Sequence, residues 1–257
     1  MSRLNSSARL ALQLYSVRSA GDFAARCDLA QQAGFQWVET EGTYGLSLDE
    51  FCTQLHRHQL GLVSMHVDLP DLANLKALHE IMQACQCTTL VMPWLDEAER
   101  PNGLAEWRNL AQRLQDYALA SRDLGLRLAY HNHAFEMQML TAESSVLDCL
   151  LQHAPALYWQ ADLAWLARAG ASVTSLIERY TARIISVHVK DLHLQKTSVA
   201  ENDWAILGQG DLPWPDYLTK LPIELQDYIV EHDQPIDALQ MAECGLRQLQ
   251  SWLKSGT

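Results

Sequence analysis

The chain has 257 residues, a length that suits one α/β barrel and is long enough to bury a large core. Hydrophobic residues make up 48% of it, which argues against disorder. A formal net charge of −12 repels phosphate backbones and anionic lipid heads, so nucleic acid and membrane surfaces are not expected partners.

The chain alternates short apolar runs with longer amphipathic ones. Arg9–Tyr15 reads as a strand and Asp22–Gly34 as a helix with a glycine stop. Phe35–Glu39 is a second strand. Ser47–Leu60 is a second helix, with Ser47 and Glu50 spaced for a capping box. A strand over Leu62–Val67 precedes a helix over Asp71–Cys85. A strand over Thr89–Met92, stopped by Pro93, precedes a long helix over Gly103–Leu124. Leu126–His131 is a fifth strand and Thr141–His153 the helix after it. Leu157–Ala161 is a sixth strand, Ala171–Tyr180 a helix, Arg183–Val189 a seventh strand and Tyr228–Glu231 an eighth. Pro235–Lys254 closes as a helix.

Strand and helix alternating eight times, at spacings of roughly 30 residues, is the pattern of a (β/α)8 TIM barrel in a single domain over 1–257. An open doubly wound sheet would need a glycine-rich turn between an early strand and its helix. Gly208-Gln209-Gly210 sits instead in a late loop. Leu192–Pro215 is the longest connection and a candidate lid.

Six cysteines (27, 52, 85, 87, 149 and 244) form no CxxC pair. The segment Met1–Arg9 is polar, without an apolar signal core, and no apolar run has the length of a membrane span. These features read as a cytoplasmic protein with reduced thiols.

Active sites of such barrels gather at the C-terminal ends of the strands. The second strand ends at Glu39, with Glu41 behind it, and the third at His66 and Asp68. The fifth delivers Tyr130-His131-Asn132-His133, with Glu136 beyond. The sixth delivers Asp162, the seventh His188, Lys190 and Asp191, and the eighth Glu231, His232 and Asp233. Carboxylates with imidazole suit one divalent metal ion: Mn²⁺, Mg²⁺, Co²⁺ or Zn²⁺. Asp162 interrupts an apolar run, where a lone buried carboxylate is costly unless a cation neutralises it; the same logic covers His188. Glu39 has two readings, one facing the site and one pairing with a helix N-terminus. His56, His58, His79 and His153 read as surface or structural residues, and the charges from Asp96 to Arg100 as a solvated loop.

At these residues the sequence resembles the xylose isomerase-like TIM-barrel superfamily of sugar phosphate isomerases and epimerases, over nearly the whole chain. The resemblance rests on Gln13-Leu14-Tyr15-Ser16-Val17-Arg18, on Tyr130-His131-Asn132-His133 with Phe135-Glu136, and on Trp165 and Gly170 after Asp162. It continues through Val187-His188-Val189-Lys190-Asp191, Leu207-Gly208-Gln209-Gly210 with Trp214, and Val230-Glu231-His232-Asp233. It implies a Glu, Asp, His, Glu set around one divalent metal. Asp162, His188 and Glu231 match that set directly. The first glutamate has its usual place inside the fifth strand near Ala129, where this chain departs, so Glu136 stands in as the fourth ligand and His131 or His133 is the alternative.

The resemblance implies a carbohydrate substrate, a homodimer, and an isomerase or epimerase working through an enediolate, with Glu231 as base and Glu136 opposite. His66, His131, His133, Trp165 and Lys190 are the expected substrate-binding residues. The Tyr-His-Asn-His motif keeps a lyase of inosose or 3-keto-glycoside type as the alternative. An apurinic endonuclease, disfavoured by the charge, and a non-catalytic sugar-binding barrel are remoter readings.

Overall fold

A computed structural model describes residues 8–194 and 203–255. Its eight barrel strands are β1 (Arg9–Gln13), β2 (Trp37–Glu41), β3 (Gly61–His66), β4 (Thr89–Met92), β5 (Arg127–His131), β6 (Tyr158–Asp162), β7 (Ile184–Val189) and β8 (Asp227–Val230). All eight pair in parallel and close on themselves in the order β1-β8-β7-β6-β5-β4-β3-β2. Closure removes sheet edges, and parallel pairing points every strand's C-terminal end at the same rim.

The outer helices are α1 (Phe23–Gln32), α2 (Leu48–Arg57), α3 (Leu75–Ala84), α4 (Leu104–Asp123), α5 (Val146–His153), α6 (Leu163–Arg168), α7 (Val173–Tyr180), α8 (Trp214–Lys220) and α9 (Ala238–Ser255). Local chemistry sets several starts. Asp22 accepts from the Ala25 N–H to begin α1, and Ser47 with Glu50 forms the expected capping box of α2. Ser145 and Asp148 form another at α5, which therefore begins at Val146 rather than Thr141.

Alternation along the strands separates two cores. Leu12, Val38, Leu62 and Val230 join the large apolar core shared with the helices, while Ala11, Val63 and Ile229, with Trp37 against them, form a small cluster of their own. Further along the same strands the buried side chains turn polar: Gln13, Glu39, His66, His131, Gln160 and His188 are all withdrawn from solvent.

Two features depart from the sequence reading. Leu163–Arg168 forms α6 directly after β6, and Trp214–Lys220 forms α8, which begins at the end of the expected long connection. That connection also holds a short antiparallel pair, Asp191–Leu192 with Trp204–Ala205. The remainder of the candidate lid, residues 195–202, lies outside the described residues, as do residues 1–7. All six cysteines are free thiols.

Candidate metal centre and cavity

Asp162 and His188 end or nearly end β6 and β7, and Glu231 follows β8 by one residue. Their ligand-type atoms, with one from His131 at the end of β5, lie within 4.8 Å of one another, and all four residues are buried. A second group of the same kind joins His66, His131 and His188.

Both nitrogens of His188 face carboxylates. Nδ1 lies 2.6 Å from Glu231 Oε2 and Nε2 lies 2.6 Å from Glu39 Oε1. Burial alone would lower the imidazole pKa; Glu39 and Glu231 outweigh it and push it up to about 10. A field that draws a proton so strongly also suits a divalent cation. His131 Nδ1 is 3.1 Å from Gln160 Oε1, while its Nε2 points toward Asp162 Oδ2 at 3.9 Å. With Nδ1 donating to that carbonyl, Nε2 presents a lone pair to the group.

Asp162 is wholly buried. Its Oδ1 accepts the Trp165 N–H that begins α6, whereas Oδ2 has no hydrogen-bond partner. Burial pushes this carboxyl up to about 6 despite the nearby Lys190 charge. A carboxylate oxygen that meets only the Lys190 ammonium, two imidazoles and Glu231 make a mixed O/N donor set that fits a borderline divalent metal. Lys190 Nζ lies 3.3 Å from Asp162, 3.1 Å from Glu231 and 2.7 Å from Asp233. Burial lowers the ammonium's pKa, but these three carboxylates outweigh it and raise it, so Lys190 stays charged.

Glu39 is the hub beneath this layer. Gln13 Nε2 donates to it at 2.7 Å, Gln160 Nε2 at 2.5 Å, and Ser64 Oγ through a short bond, while His66 Nε2 approaches to 3.0 Å. Burial works against its charge, but His66 and His188 hold the carboxyl well below the usual range. Gln160, fixed by Glu39, presents its carbonyl to both His66 and His131.

Glu136 is not brought to this group. It is fully buried on the turn after β5, where Oε1 accepts from the Tyr130 hydroxyl at 2.7 Å and Oε2 from the His133 N–H at 2.8 Å. The turn folds its carboxylate back under the Tyr-His-Asn-His segment. His131, one of the two alternatives, supplies the fourth member instead; His133 does not join it.

Above the group opens a cavity of about 610 Å³, lined among others by Tyr15, Glu41, His66, Trp94, His131, His133, Trp165 and Glu231. Lys190 is only 1% exposed and sits beneath the lining, with Trp165 and Trp204 over its ammonium at 5.2 and 4.6 Å. The glycine loop has a structural task. Asp191 accepts from the N–H groups of Leu192, Gly208, Gly210 and Leu212, and a Cβ on Gly210 would stand 2.2 Å from its Oδ1. Trp214 Nε1 then donates to the Lys190 carbonyl at 2.6 Å, so the loop secures the lysine.

Sequence reading missed Gln13 and Gln160 and left Glu39 between two roles. The signal was a polar residue at an inward position of an apolar strand, Gln13 in RLALQLY and Gln160 in YWQAD. It also missed Tyr15 and Trp94, whose placement at the cavity depends on loops.

A closed parallel barrel with buried carboxylates and imidazoles gathered at its C-terminal rim is a TIM barrel of the kind that carries chemistry there. The chain belongs to the xylose isomerase-like TIM barrel family, whose sequence profile matches residues 27–255. An inosose dehydratase from Clostridium perfringens is 27% identical over 105 residues, 41% of this chain and 35% of that protein. The chain spans about a third to just over half the length of the curated relatives it matches. Among solved structures, a sugar phosphate isomerase/epimerase from Parabacteroides distasonis superposes with a TM-score of 0.78 at 17% identity, covering 96% of this chain and 100% of that one. The IolI protein solved with a zinc atom gives 0.75 at 13% identity, covering 97% and 99%. No helix among the described residues is long and apolar enough to cross a membrane.

Proposed function

We propose that the chain is a divalent-metal-dependent lyase that dehydrates a cyclic ketose-like sugar of the inosose type, with His131, Asp162, His188 and Glu231 as the metal ligands. The observation that carries this reading is the position of Glu136. An isomerase or epimerase takes a proton from one carbon and returns one at a neighbouring carbon or on the opposite face, which needs two groups at the substrate. Of the two glutamates expected for those tasks, Glu231 lines the cavity and Glu136 does not. Elimination needs a base and a donor to the departing hydroxyl, and the cavity offers a carboxylate beside an imidazole, Glu231 and His66, rather than two opposed carboxylates. Relatives named inosose dehydratase support the same choice.

A bound divalent metal supplies Lewis-acid polarisation of the substrate carbonyl and its neighbouring oxygen. Glu231 removes the proton α to the carbonyl. Burial raises its pKa, but Lys190 and His188 outweigh this and hold it well below the usual carboxylate range, so it is ionised. The electron pair released forms the carbon–carbon double bond, and the β-hydroxyl leaves as water on taking a proton from His66, which Glu39 backs at 3.0 Å. His133 is held neutral, its pKa lowered to about 3 by burial and Lys190, and its ring lines the cavity beside the substrate. Trp165 offers the sugar an apolar face.

Isomerisation is the second reading, favoured by His66 and Glu231 lining one cavity, where the imidazole is placed to return a proton. Proton NMR of the metal-loaded protein with an inosose in D₂O separates the two. Dehydration gives an unsaturated or dicarbonyl product; an isomeric product carrying solvent deuterium would replace the lyase reading with an isomerase.

A further inference from the structure

The cavity carries a charge pattern that selects among sugars. Five carboxylates line it, Glu41, Asp68, Asp71, Glu231 and Asp233, and no lysine or arginine does among the described residues. Among the described residues, the nearby cations are all engaged. Lys190 meets Asp162, Glu231 and Asp233 beneath the lining. Arg18 donates to the carbonyls of Tyr15 and Asp233, with its guanidinium 3.9 Å from the Tyr15 ring centre. Arg26 meets Glu41 at 3.6 Å and lies over Tyr44. Arg100 is stacked on Phe135 and Trp94 and donates to the Leu95 carbonyl, while Arg168 is paired with Asp203.

A bound divalent ion would not reverse this balance. Its two charges, with that of Lys190, face Asp162, Glu231, Asp233 and Glu39, which leaves Asp68 and Asp71 uncompensated at the rim. Apart from Pro93, the apolar part of the lining is aromatic: Tyr15, Trp165 and the Trp94 indole, which is 42% exposed. Flat apolar faces beside acceptors and imidazoles match a ring that carries hydroxyls on its edge and C–H bonds on its face.

We propose that this site takes an uncharged polyhydroxylated ring and excludes phosphorylated and carboxylated sugars, with Asp68 and Asp71 as the residues that repel the anion. A phosphate monoester brings close to two negative charges into a partly enclosed acidic cavity, and among the described residues no donor-rich cation is free to meet them. The proposal rests on the site assigned under the proposed function, but it concerns binding and does not depend on which reaction follows.

The test is equilibrium binding to the metal-loaded full chain, read by calorimetry and by tryptophan fluorescence from Trp94 and Trp165. The probes are myo-inositol, an inosose, fructose and a 3-keto-glucoside, with the monophosphates of inositol and fructose. At least one neutral probe is expected to bind, with its phosphate ester at least tenfold weaker. In the Asp68→Asn/Asp71→Asn protein that ratio should narrow, and added salt should narrow it as well. An ester binding as tightly as its parent, or no neutral probe binding at all, would overturn the proposal. A neutral probe that binds but is not turned over leaves the substrate class standing and counts against the lyase reading alone.

Discussion

Glu39 Oε1 lies 2.6 Å from His188 Nε2, so a carboxylate with no solvent exposure holds the far side of an imidazole whose near side faces Glu231. The two residues are 149 positions apart in the chain. A carboxylate behind a ligating histidine fixes the ring's tautomer and raises its basicity. Glu39→Gln is therefore expected to weaken metal binding about 10- to 100-fold, measured by competition against a chromogenic chelator. Unchanged affinity in a folded variant would remove Glu39 from the support of the site.

The ligand assignment separates two residues that are five positions apart. His131→Ala should lose its metal by elemental analysis, as should Asp162→Ala and His188→Ala, whereas Glu136→Gln should keep it. A stoichiometric metal in His131→Ala, together with loss in Glu136→Gln, would put the glutamate back in the ligand set. Glu136→Gln leaves either the Tyr130 hydroxyl or the His133 N–H facing an amide NH₂ in place of a carboxyl oxygen, a cost of about 1–3 kcal/mol that removal of the buried charge offsets as pH rises.

Glu136 also predicts a pH dependence. Burial pushes its carboxyl up to about 7, against the hydrogen bonds from Tyr130 and His133 that lower it. An acid whose folded pKa is raised disfavours folding once it ionises. Its cost is absent below the unfolded value of about 4.3, grows as pH rises, and is complete above about 7. The stability of the parent relative to Glu136→Gln should therefore decline between about pH 4.5 and 7, as followed by urea denaturation at each pH. A difference that is flat across that window would place the carboxyl in the ordinary range.

Glu231→Gln keeps the side chain's size and removes the proposed base. Exchange of the substrate's α-proton with D₂O should fall by about 10²- to 10⁴-fold, measured at saturating metal with occupancy checked by elemental analysis, so that loss of the base is separated from loss of a ligand. Exchange at the parental rate would transfer the base role to another residue.

Much of this was legible in the sequence because it depends on local pattern. Alternating apolar periodicities set out the eight barrel strands, and the strand-end rule pointed to Asp162, His188 and Glu231, which the structure brings within one cluster. What periodicity does not encode is where a side chain turns after its strand has ended. Glu136 follows β5 by five residues, and the intervening turn aims its carboxylate at Tyr130 and the His133 N–H, away from Asp162.

The sequence by itself determined the parallel order of the barrel and the rim at which polar groups gather, because both follow from a strand–helix repeat and the right-handed crossover of parallel strands. Only the tertiary structure decided the composition of the polar layer. Barrel closure places β2 next to β1 and β3 and brings Glu39 across the interior to Gln160 and His188. No spacing along the chain records that distance. It is why Glu39, a residue with two readings in the sequence, becomes the anion around which His66, Gln160 and His188 are arranged.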